Sequence, residues 1–248
     1  MSEWMAWMAL GAAGFVAGAL NVVAGGGSFL TLPLLIFLGL PPSVANGTNR
    51  IGVLTQNIAG VWGFHRHRVL DWRFGLRASL PALAGAALGA WGALYIGDDA
   101  FRKVLALLMV AVTLWTLARS APPAASNAEP PNLHPALLVL GFFLVGVYSG
   151  FVQAGVGFFV LAITSLAGLG LVKGNAVKVL IILLTTMLAL AVFAREGRVD
   201  WPLGLALGLG NLLGGQLGVR LTVLRGDRFV QTVVTVTVVI FAVKLWFD

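Results

Sequence analysis

The chain has 248 residues, of which 59% are hydrophobic and 10% are charged, and its formal net charge is +7. A soluble domain carries about 25% charged residues, so this composition excludes an ordinary soluble core and indicates an all-α protein that crosses the membrane several times. The absence of cysteine excludes disulfides and thiolate catalysis, and basic residues spread over short loops indicate membrane orientation and not nucleic-acid binding.

Ten apolar segments follow one another along the chain, and most have the length of a membrane helix. The segments at 28–40 and 157–171 are too short to cross a bilayer at about 1.5 Å per residue. Each is predicted to be re-entrant with the segment before it or to be a short tilted span, which gives eight or ten crossings. The N-terminal segment is taken as a span and not as a cleaved signal peptide, because it lacks a positive start. The segments lie at 5–23, 28–40, 44–64, 74–96, 100–118, 135–153, 157–171, 176–194, 201–222 and 228–247.

The second half of the chain repeats the first at an offset of 129 residues. Residues 71–98 and 200–227 are identical at eleven of 28 positions, and both stretches begin with Asp-Trp and end with Gly-Asp. Farther upstream, AGGGSF at 24–29 corresponds to AGVGFF at 154–159. A stretch rich in Pro, Ala and Ser separates the halves and is typical of a polar linker. The predicted organisation is a first transmembrane repeat at 1–119, a linker at 120–134 and a second repeat at 135–248.

The charges of the loops indicate how the two halves are oriented. If each half has five segments, the halves are inverted, and the loops at 64–73, 171–178 and 223–228 lie on one side. These loops are the more basic, so that side is expected to be cytoplasmic and both termini periplasmic. If each half crosses the membrane four times, the halves are parallel, and the basic loops are not clearly divided between the two sides of the membrane. We favour the inverted arrangement.

The glycines interrupt the apolar pattern at corresponding places in the two halves. Paired breaks of this kind point to a transporter binding site, because a new helix N-terminus offers free N–H groups and a dipole that favour an anion. The alternative is close helix packing through small residues. Close packing accounts well for Gly85-x-x-x-Gly89 and Gly214-x-x-x-Gly218, but less well for the three adjacent glycines at 25–27, which do not share one helix face.

The ionisable residues near the apolar segments are all cations. Every Asp and Glu lies at a terminus or in a predicted loop, whereas Arg50 and Lys178 directly precede long apolar stretches. Ionisable groups inside a membrane are functional candidates, so this distribution favours an anionic ligand over a cation site or an acidic proton relay. The alternative is that Arg50 and Lys178 snorkel to the interface, as we expect for Arg77 and Arg220.

Two motifs carry a resemblance to a known family. GFVAGALNVVAGGGSFLTLPLL at 14–35 and LGLPPSVANGTNR at 38–50 are followed by a repeat of the same layout. Over roughly residues 10–247 the chain resembles the sulfite exporter TauE/SafE family, also called TSUP. The resemblance implies bacterial inner-membrane transport of a sulfur-containing anion such as sulfite, thiosulfate, sulfoacetate or a related organosulfonate. Ser28 corresponds to Phe158 and Thr48 to Val177, so we expect a site weighted toward the first half.

We predict a secondary transporter that moves a small sulfur-containing anion by alternating access, and no enzyme, cofactor or metal site. A passive anion channel and a carrier of a small carboxylate are the alternatives. An intramembrane enzyme would need a base or a metal cluster, and no His, Asp or Glu falls inside a predicted span. Proton coupling would for the same reason need a histidine outside the spans, water or the substrate itself. The bilayer is an expected partner, nucleic acid is not, and a homodimer is possible.

The predicted substrate-binding residues lie around the two glycine breaks and at the starts of the segments that follow them. A second group of polar residues is more typical of interhelical hydrogen bonds than of ligands. The first group comprises Gly25, Gly26, Gly27, Ser28, Asn46, Thr48, Asn49, Arg50, Gln153, Gly155, Gly157 and Lys178, and the second Asn21, Gln56, Asn57, Thr185, Thr186, Asn211 and Gln216.

Overall fold

The computed structural model describes residues 3–104, 106–107, 111 and 134–247, and these residues are helical apart from short connections. The all-helical class is confirmed for this part of the chain. The predicted segment at 100–118 lies largely outside the described residues, and so does the linker predicted at 120–134; residues 98–104 are helical. The named helices are α1 (Glu3–Val23), α2 (Ser28–Phe37), α3 (Pro42–Arg66), α4 (Trp72–Tyr95), α5 (Pro135–Phe151), α6 (Val156–Leu166), α7 (Leu171–Arg195) and α8 (Trp201–Phe247).

In the described part of the chain, four helical stretches are long and apolar enough to cross a membrane, which confirms the polytopic class. Helices α2, α5 and α6 are apolar but shorter. Helix α8 bends at Gly226, whose φ of 71° is not helical, and it therefore contains both segments predicted at 201–222 and 228–247. The four long stretches are Trp4–Val23, Trp72–Tyr95, Leu171–Arg195 and Trp201–Val236.

Helix α1 packs closely along α8. A side chain at Gly214 would meet the carbonyl of Phe15, and one at Gly218 would lie 2.9 Å from the carbonyl of Ala19. The contacts advance by one turn in the same direction on both helices, so α1 and α8 run parallel. The close packing predicted for these two glycines is confirmed.

The same arrangement joins α4 to α5. A side chain at Gly85 would meet the carbonyl of Phe143, and one at Gly89 would meet the carbonyl of Val147. These contacts also advance in one direction, so α4 and α5 are parallel, and the packing role predicted for this glycine pair is confirmed. The first helix of each half therefore packs along the fourth helix of the other half.

One end of the bundle, which we call the Asp98 end, gathers three connections. The amide of Ser43 donates to Asp98 Oδ1 over 3.0 Å, and Arg198 Nη1 donates to Ser43 Oγ over 3.0 Å. The amide of Asp200 donates to Thr48 Oγ1 over 2.9 Å. The connections at 38–42, 96–97 and 196–200 therefore meet at this end.

The opposite end, the Asp227 end, gathers the other three connections. The amide of Val172 donates to Asp227 Oδ1 over 2.8 Å, and one crevice is lined by Val69, Asp71, Gly170 and Asp227. The connections before α4 and α7 and the bend of α8 therefore meet here. The Asp residues that end the two repeated stretches, Asp98 and Asp227, cap equivalent helices, because their partners are the second residues of α3 and α7.

The Asp residues that begin the two repeated stretches are also helix caps. Asp71 Oδ1 accepts from the amide of Phe74 over 2.9 Å, and Asp200 Oδ1 accepts from the amide of Leu203 over 3.0 Å. Each carboxylate satisfies an amide that has no partner within its own helix. The matched Asp residues of the repeat thus explain where α4 and α8 begin.

Helices α1 and α2 form a pair that starts and returns at the Asp98 end. Helix α1 is parallel to α8, which begins at the Asp98 end after Asp200. Helix α2 leads into the connection at 38–42, which lies at the same end. Of the two predicted alternatives for the segment at 28–40, a re-entrant half or a short tilted span, the path of the chain favours the first.

The Asp98 carboxylate makes the stability of the Asp98 end depend on pH. The pKa of Asp98 lies below its ordinary value of 3.8, mainly because the Ser43 hydroxyl forms a hydrogen bond to the carboxylate. Burial opposes this lowering, whereas the Ser43 amide and the charge of Arg198 add to it. A carboxylate whose pKa is lowered by folding stabilises the folded state at pH values above its ordinary pKa. This stability is lost as the pH falls through the pKa of the folded state. We expect the unfolding free energy of Asp98→Asn, followed from about pH 5 to about pH 3, to fall less steeply than that of the parent.

The control for this experiment is Asp99→Asn, which removes the neighbouring carboxylate. Asp99 is exposed, so its variant should follow the parent over the whole range. Equal slopes for the parent and Asp98→Asn would contradict the capping role of the charge.

Candidate functional site

The two predicted helix breaks touch each other in the buried centre. Helix α1 ends at Val23 and α2 begins at Ser28, while α5 ends at Phe151 and α6 begins at Val156. Gly25 has a φ of 102°, and a Cβ built on it would lie 2.5 Å from the Cα of Gly157. Only glycine fits this approach without strain. The structure therefore brings together the two glycine segments that the sequence placed in separate halves.

The start of α2 leaves backbone donors free at the first break. The amide of Ser28 donates to Asn21 Oδ1 over 3.3 Å, and the amide of Phe29 donates to the carbonyl of Gly26 over 3.1 Å. Within the described part of the chain, the amides of Gly26 and Gly27 donate to no acceptor. Two buried N–H groups at a helix N-terminus are thus available.

Helix α3 covers the end of the second break. Arg50 Nη1 donates to the carbonyl of Ser149 over 3.0 Å, and Nη2 donates to the carbonyl of Gly150 over 2.5 Å. Asn46 Nδ2 donates to the carbonyl of Phe151 over 2.8 Å. Two side chains of the first half therefore satisfy the last three carbonyls of α5, which have no partner within their own helix.

Helix α7 covers the end of the first break in the same way. Lys178 Nζ donates to the carbonyls of Asn21, at 2.9 Å, and Val22, at 2.8 Å, and its third hydrogen bond goes to Asn175 Oδ1. Asn175 Nδ2 donates to the carbonyl of Val23 over 2.8 Å. Three acceptors match the three donors of an ammonium group. Each half thus caps the broken helix of the other half.

Arg50 and Lys178 do not snorkel, because both side chains are fully buried. That alternative is therefore wrong for these two residues. A cation beside the last carbonyls of a helix interacts favourably with its dipole, and the Arg50 guanidinium also stacks over the Phe193 ring at 4.7 Å. Their use as anion ligands stays a prediction.

One face of α3 carries three buried side-chain atoms without a hydrogen-bond partner. They are Asn46 Oδ1, Asn49 Nδ2 and Arg50 Nε. Spacings of three and four residues place these side chains on the same face of the helix. Buried polar atoms are nearly always paired, and an unpaired one costs about 1–3 kcal/mol. A cluster of one acceptor and two donors is therefore a candidate ligand site.

The partner of Asn46 fixes which of its side-chain atoms is free, and the structure assigns the free atom of Asn49. Phe151 offers a carbonyl that only accepts, so the nitrogen of Asn46 must face it and the oxygen must be the free atom. Asn49 faces the Thr31 hydroxyl, which can donate or accept. In the structure Thr31 Oγ1 donates to Asn49 Oδ1 over 2.6 Å, and the nitrogen of Asn49 is the atom without a partner. In the second half, both side-chain atoms of Asn175 are paired. The unpaired cluster therefore belongs to the first half.

Several predicted residues form hydrogen bonds between helices around the breaks. Asn21 Nδ2 donates to Gln56 Oε1 over 3.1 Å. Gln153 Oε1 accepts from Arg50 over 3.3 Å, and its Nε2 donates to Thr186. The hydroxyls of Ser149 and Thr185 lie 3.0 Å apart. These side chains hold the two breaks in place.

Other predicted residues lie away from the breaks. Thr48 accepts from Asp200 at the Asp98 end. Asn57 and Asn211 each donate to a carbonyl of their own helix. Gln216 is exposed on α8 and is not part of the cluster.

Sequence reasoning missed four residues of the site: Thr31, Ser149, Asn175 and Phe193. Ser149 could have been found from the repeat, because the pair Ser149–Thr185 corresponds to Asn21–Gln56 at offsets of 128 and 129 residues.

The repeat also marks two of the other missed residues. Asn175 corresponds to Asn46 and Phe193 to Phe64 at the offset of 129. No sequence pattern places the Phe193 ring under Arg50.

Membrane-length apolar helices, with buried polar side chains gathered at two touching helix breaks, define the class of polytopic membrane transporters. The particular family follows from comparison with known proteins. The chain matches the profile of the family described as "Sulfite exporter TauE/SafE" over residues 10–245, and it belongs to this family. The resemblance stated from its motifs is thereby confirmed.

Relatives with curated descriptions agree with this class. The chain is 30% identical over 238 residues to "Probable membrane transporter protein ORF9" of Sinorhizobium sp, covering 95% of this chain and 90% of the relative. It is 28% identical to a "Probable membrane transporter protein" of Haemophilus influenzae, covering 95% of this chain and 92% of the relative. It is also 28% identical to "Probable membrane transporter protein YfcA" of Escherichia coli strain K12, covering 94% and 87%. No solved structure matches the chain significantly.

Proposed function

We propose that this transporter is a secondary carrier of a small sulfur-containing oxyanion, which binds at the buried face of α3 formed by Asn46, Asn49 and Arg50. The observation that carries the proposal is the pair of unpaired donors, Asn49 Nδ2 and Arg50 Nε, in a fully buried setting. An oxyanion accepts hydrogen bonds from both donors and gains most from a charged one. A cation would leave both donors unpaired.

The charge of the buried centre supports an anion. Arg50 and Lys178 are the buried charged side chains of the described residues, and no carboxylate is buried with them. The C-terminal ends of α1 and α5 oppose each cation with about half a charge. The N-terminal ends of α2 and α6 contribute about the same amount with positive sign. The centre therefore keeps a positive charge that an anion would balance.

The free amides of Gly26 and Gly27 add a second group of donors. They stand at the N-terminus of α2, where backbone N–H groups and the helix dipole favour negative charge. Thr31 of the same helix holds Asn49 through a hydrogen bond of 2.6 Å. An anion beside Asn49 would thus be shared between α3 and the glycine break of the first half.

The arrangement of the connections supports inverted halves and alternating access. The connections at 38–42 and 96–97 of the first half meet 196–200 of the second half at the Asp98 end. At the Asp227 end, the corresponding connections of the second half meet 67–71 of the first. Each end of the bundle thus holds two connections of one half and one of the other. The two halves take opposite parts at the two ends, as an inverted repeat requires. Rocking of such halves around a central site is the usual basis of alternating access.

The distribution of basic residues supports an orientation in the inner membrane. The basic loops around 64–73 and 223–228 lie at the Asp227 end. By the positive-inside rule, this end is cytoplasmic. Helix α1 starts at the opposite end, so the N-terminus is periplasmic in this proposal.

The proposal predicts anion-specific stabilisation of the purified protein. Thermal unfolding would be recorded in detergent at matched ionic strength with sulfite, thiosulfate, sulfoacetate, acetate, lactate, sulfate and chloride. A bound ligand at 100 times its Kd adds about 2.7 kcal/mol, and we expect this for at least one of the three sulfur anions named first. Asn49→Leu should weaken binding of that anion at least about tenfold, because a hydrogen bond to a charged partner contributes about 1.5–3 kcal/mol.

The matched control is Thr55→Val on the same helix. Thr55 donates to the carbonyls of Gly52 and Gly208 and belongs to neither break, so its variant should bind like the parent. Equal small shifts with every salt would contradict the anion site. Unchanged binding in Asn49→Leu would contradict its location.

A further inference from the structure

Asn46 Oδ1 can only accept a hydrogen bond, so an anion without an O–H or N–H group cannot pair with it. The side chain is fully buried, its nitrogen is committed to the carbonyl of Phe151, and its oxygen has no donor among the described residues. An anion with lone pairs alone would pair with Asn49 Nδ2 and Arg50 Nε but would place an oxygen against the oxygen of Asn46. The ligand that fits all three atoms carries two acceptors and one donor.

The second half of the chain shows which donor pairs with the equivalent asparagine oxygen. Asn175 corresponds to Asn46 at the repeat offset of 129, and Lys178 corresponds to Asn49. Asn175 Oδ1 accepts from the Lys178 ammonium within the protein. In the first half the lysine is replaced by Asn49, whose Nδ2 is free and whose Oδ1 already accepts from Thr31. Among the described residues, no donor therefore pairs with Asn46 Oδ1.

We propose that the site recognises a hydrogen oxyanion, a monoanion that keeps one acidic O–H, and that Asn46 Oδ1 accepts this proton-bearing oxygen. The other oxygens accept from Asn49 Nδ2 and Arg50 Nε. This inference rests on the proposed function, whose site it specifies further. Among sulfur anions the O–H form of hydrogen sulfite has the required pattern, and sulfite dianion does not. Each transported anion would carry one proton, which couples transport to the proton gradient without a titrating side chain.

Among the described residues, no carboxylate or histidine forms a hydrogen bond with Asn46, Asn49 or Arg50. The buried face of α3 contains Arg50, and α7 presents Lys178 to the neighbouring break. Tyr148 on α5 donates to the carbonyl of Ala154. At the Asp98 end the nearest charged groups are Asp98, Arg198 and Asp200. Asp227 lies at the bend of α8 and accepts from the amide of Val172. The remaining described titratable and charged groups on helices packed around this face lie at helix ends or on exposed positions: His65, Arg66, Arg73, Arg77, His134, Lys173, Arg195, Glu196, Arg220, Arg225 and Arg228.

The test compares sulfite with methanesulfinate, a pyramidal monoanion in which a methyl group replaces the hydroxyl of hydrogen sulfite. Binding to the purified protein would be measured for both anions at several pH values across the second ionisation of sulfite, at matched ionic strength. We expect the apparent Kd for total sulfite to rise about tenfold per pH unit above that ionisation, because the fraction present as hydrogen sulfite falls tenfold per unit; a tenfold change in Kd corresponds to about 1.4 kcal/mol. Methanesulfinate should bind at least about tenfold more weakly than hydrogen sulfite, because it leaves Asn46 unpaired.

A pair of equivalent variants isolates the acceptor. Asn46→Leu and Asn175→Leu each remove one hydrogen bond to the last carbonyl of a broken helix. In Asn46→Leu the preference for hydrogen sulfite over methanesulfinate should shrink to within about threefold, while Asn175→Leu should keep the full preference. If Asn46→Leu does not fold, the pH series and the comparison of the two anions on the parent protein still decide the question.

The outcomes separate this inference from the proposed function. Sulfite binding that is independent of pH or tightens as the pH rises would overturn the hydrogen oxyanion and leave the anion site intact. Equal binding of methanesulfinate and hydrogen sulfite would do the same. Failure of every sulfur anion to bind at any pH would overturn the proposed function together with this inference.

Discussion

Replacing Lys178 by methionine is expected to lower the free energy of unfolding by about 3 kcal/mol. The substitution keeps an unbranched side chain of similar length but leaves the carbonyls of Asn21 and Val22 and the side-chain oxygen of Asn175 without their donor. Removing one member of a buried charged hydrogen-bond network costs about 3–5 kcal/mol, and single unpaired polar groups cost about 1–3 kcal/mol. Chemical unfolding in detergent, followed by tryptophan fluorescence, would measure the change.

Lys173→Met provides the matched control. Lys173 lies on the same helix but is exposed, so its variant should unfold within about 0.5 kcal/mol of the parent. If both variants had the same stability, Lys178 would not be the cap of α1.

Replacing Gly25 by alanine is expected to destabilise the protein by about 3 kcal/mol or more and to lower the yield of folded protein. The φ of 102° at Gly25 is unfavourable for any residue with a Cβ, at a cost of about 1–2 kcal/mol. The new Cβ would also lie 2.5 Å from the Cα of Gly157, and backbone cannot move aside cheaply. Yield of monodisperse protein and thermal unfolding would measure the effect.

Two further glycines separate the causes of this effect. Gly39 has a φ of 97° but open space around its Cβ position, so Gly39→Ala should lose about 1–2 kcal/mol from backbone strain alone. Gly92 lies inside α4 with nothing nearby, so Gly92→Ala should gain about 0.5–1 kcal/mol. Equal effects of Gly25→Ala and Gly39→Ala would mean that the two breaks do not touch.

Much of the fold could be predicted from the sequence because it depends on local features. Apolar composition determined the helical membrane class, and the motifs at 14–35 and 38–50 identified the family. The repeat paired the Asp residues that the structure shows to be equivalent helix caps, since a helix N-terminus needs a nearby acceptor. Glycine at 25–27 marked the end of α1 because the backbone there needs freedom that other residues lack.

The helix boundaries were less predictable where polar residues are buried. The predicted segments start at 44 and 176, whereas α3 starts at Pro42 and α7 at Leu171. Hydropathy places polar stretches in loops, but the second and third turns of these two helices carry polar residues that cap the opposite break, Asn46 and Arg50 in α3 and Asn175 and Lys178 in α7. Helix α6 likewise ends at Leu166, before the predicted 171, because Gly168 has a positive φ.

The partners of the buried cations could not be predicted from the sequence. Arg50 binds carbonyls 99 and 100 residues away, and Lys178 binds carbonyls 156 and 157 residues away. Backbone carbonyls carry no sequence signature, so nothing in the residue pattern distinguishes a helix cap from a ligand group. The structure assigns both residues a capping role and leaves Nε of Arg50 available to a ligand.

Counterflow in reconstituted vesicles tests the central claim, transport of a sulfur oxyanion by a carrier with its site at α3, most directly. Labelled sulfite, thiosulfate and sulfoacetate would be offered outside vesicles that contain the same unlabelled anion or none. The account predicts saturable uptake of at least one anion, accelerated several-fold by the internal anion and lost in Asn49→Leu but not in Thr55→Val. Uptake that rises linearly with concentration and ignores the internal anion would indicate a channel, and no uptake of any of the three would contradict the account.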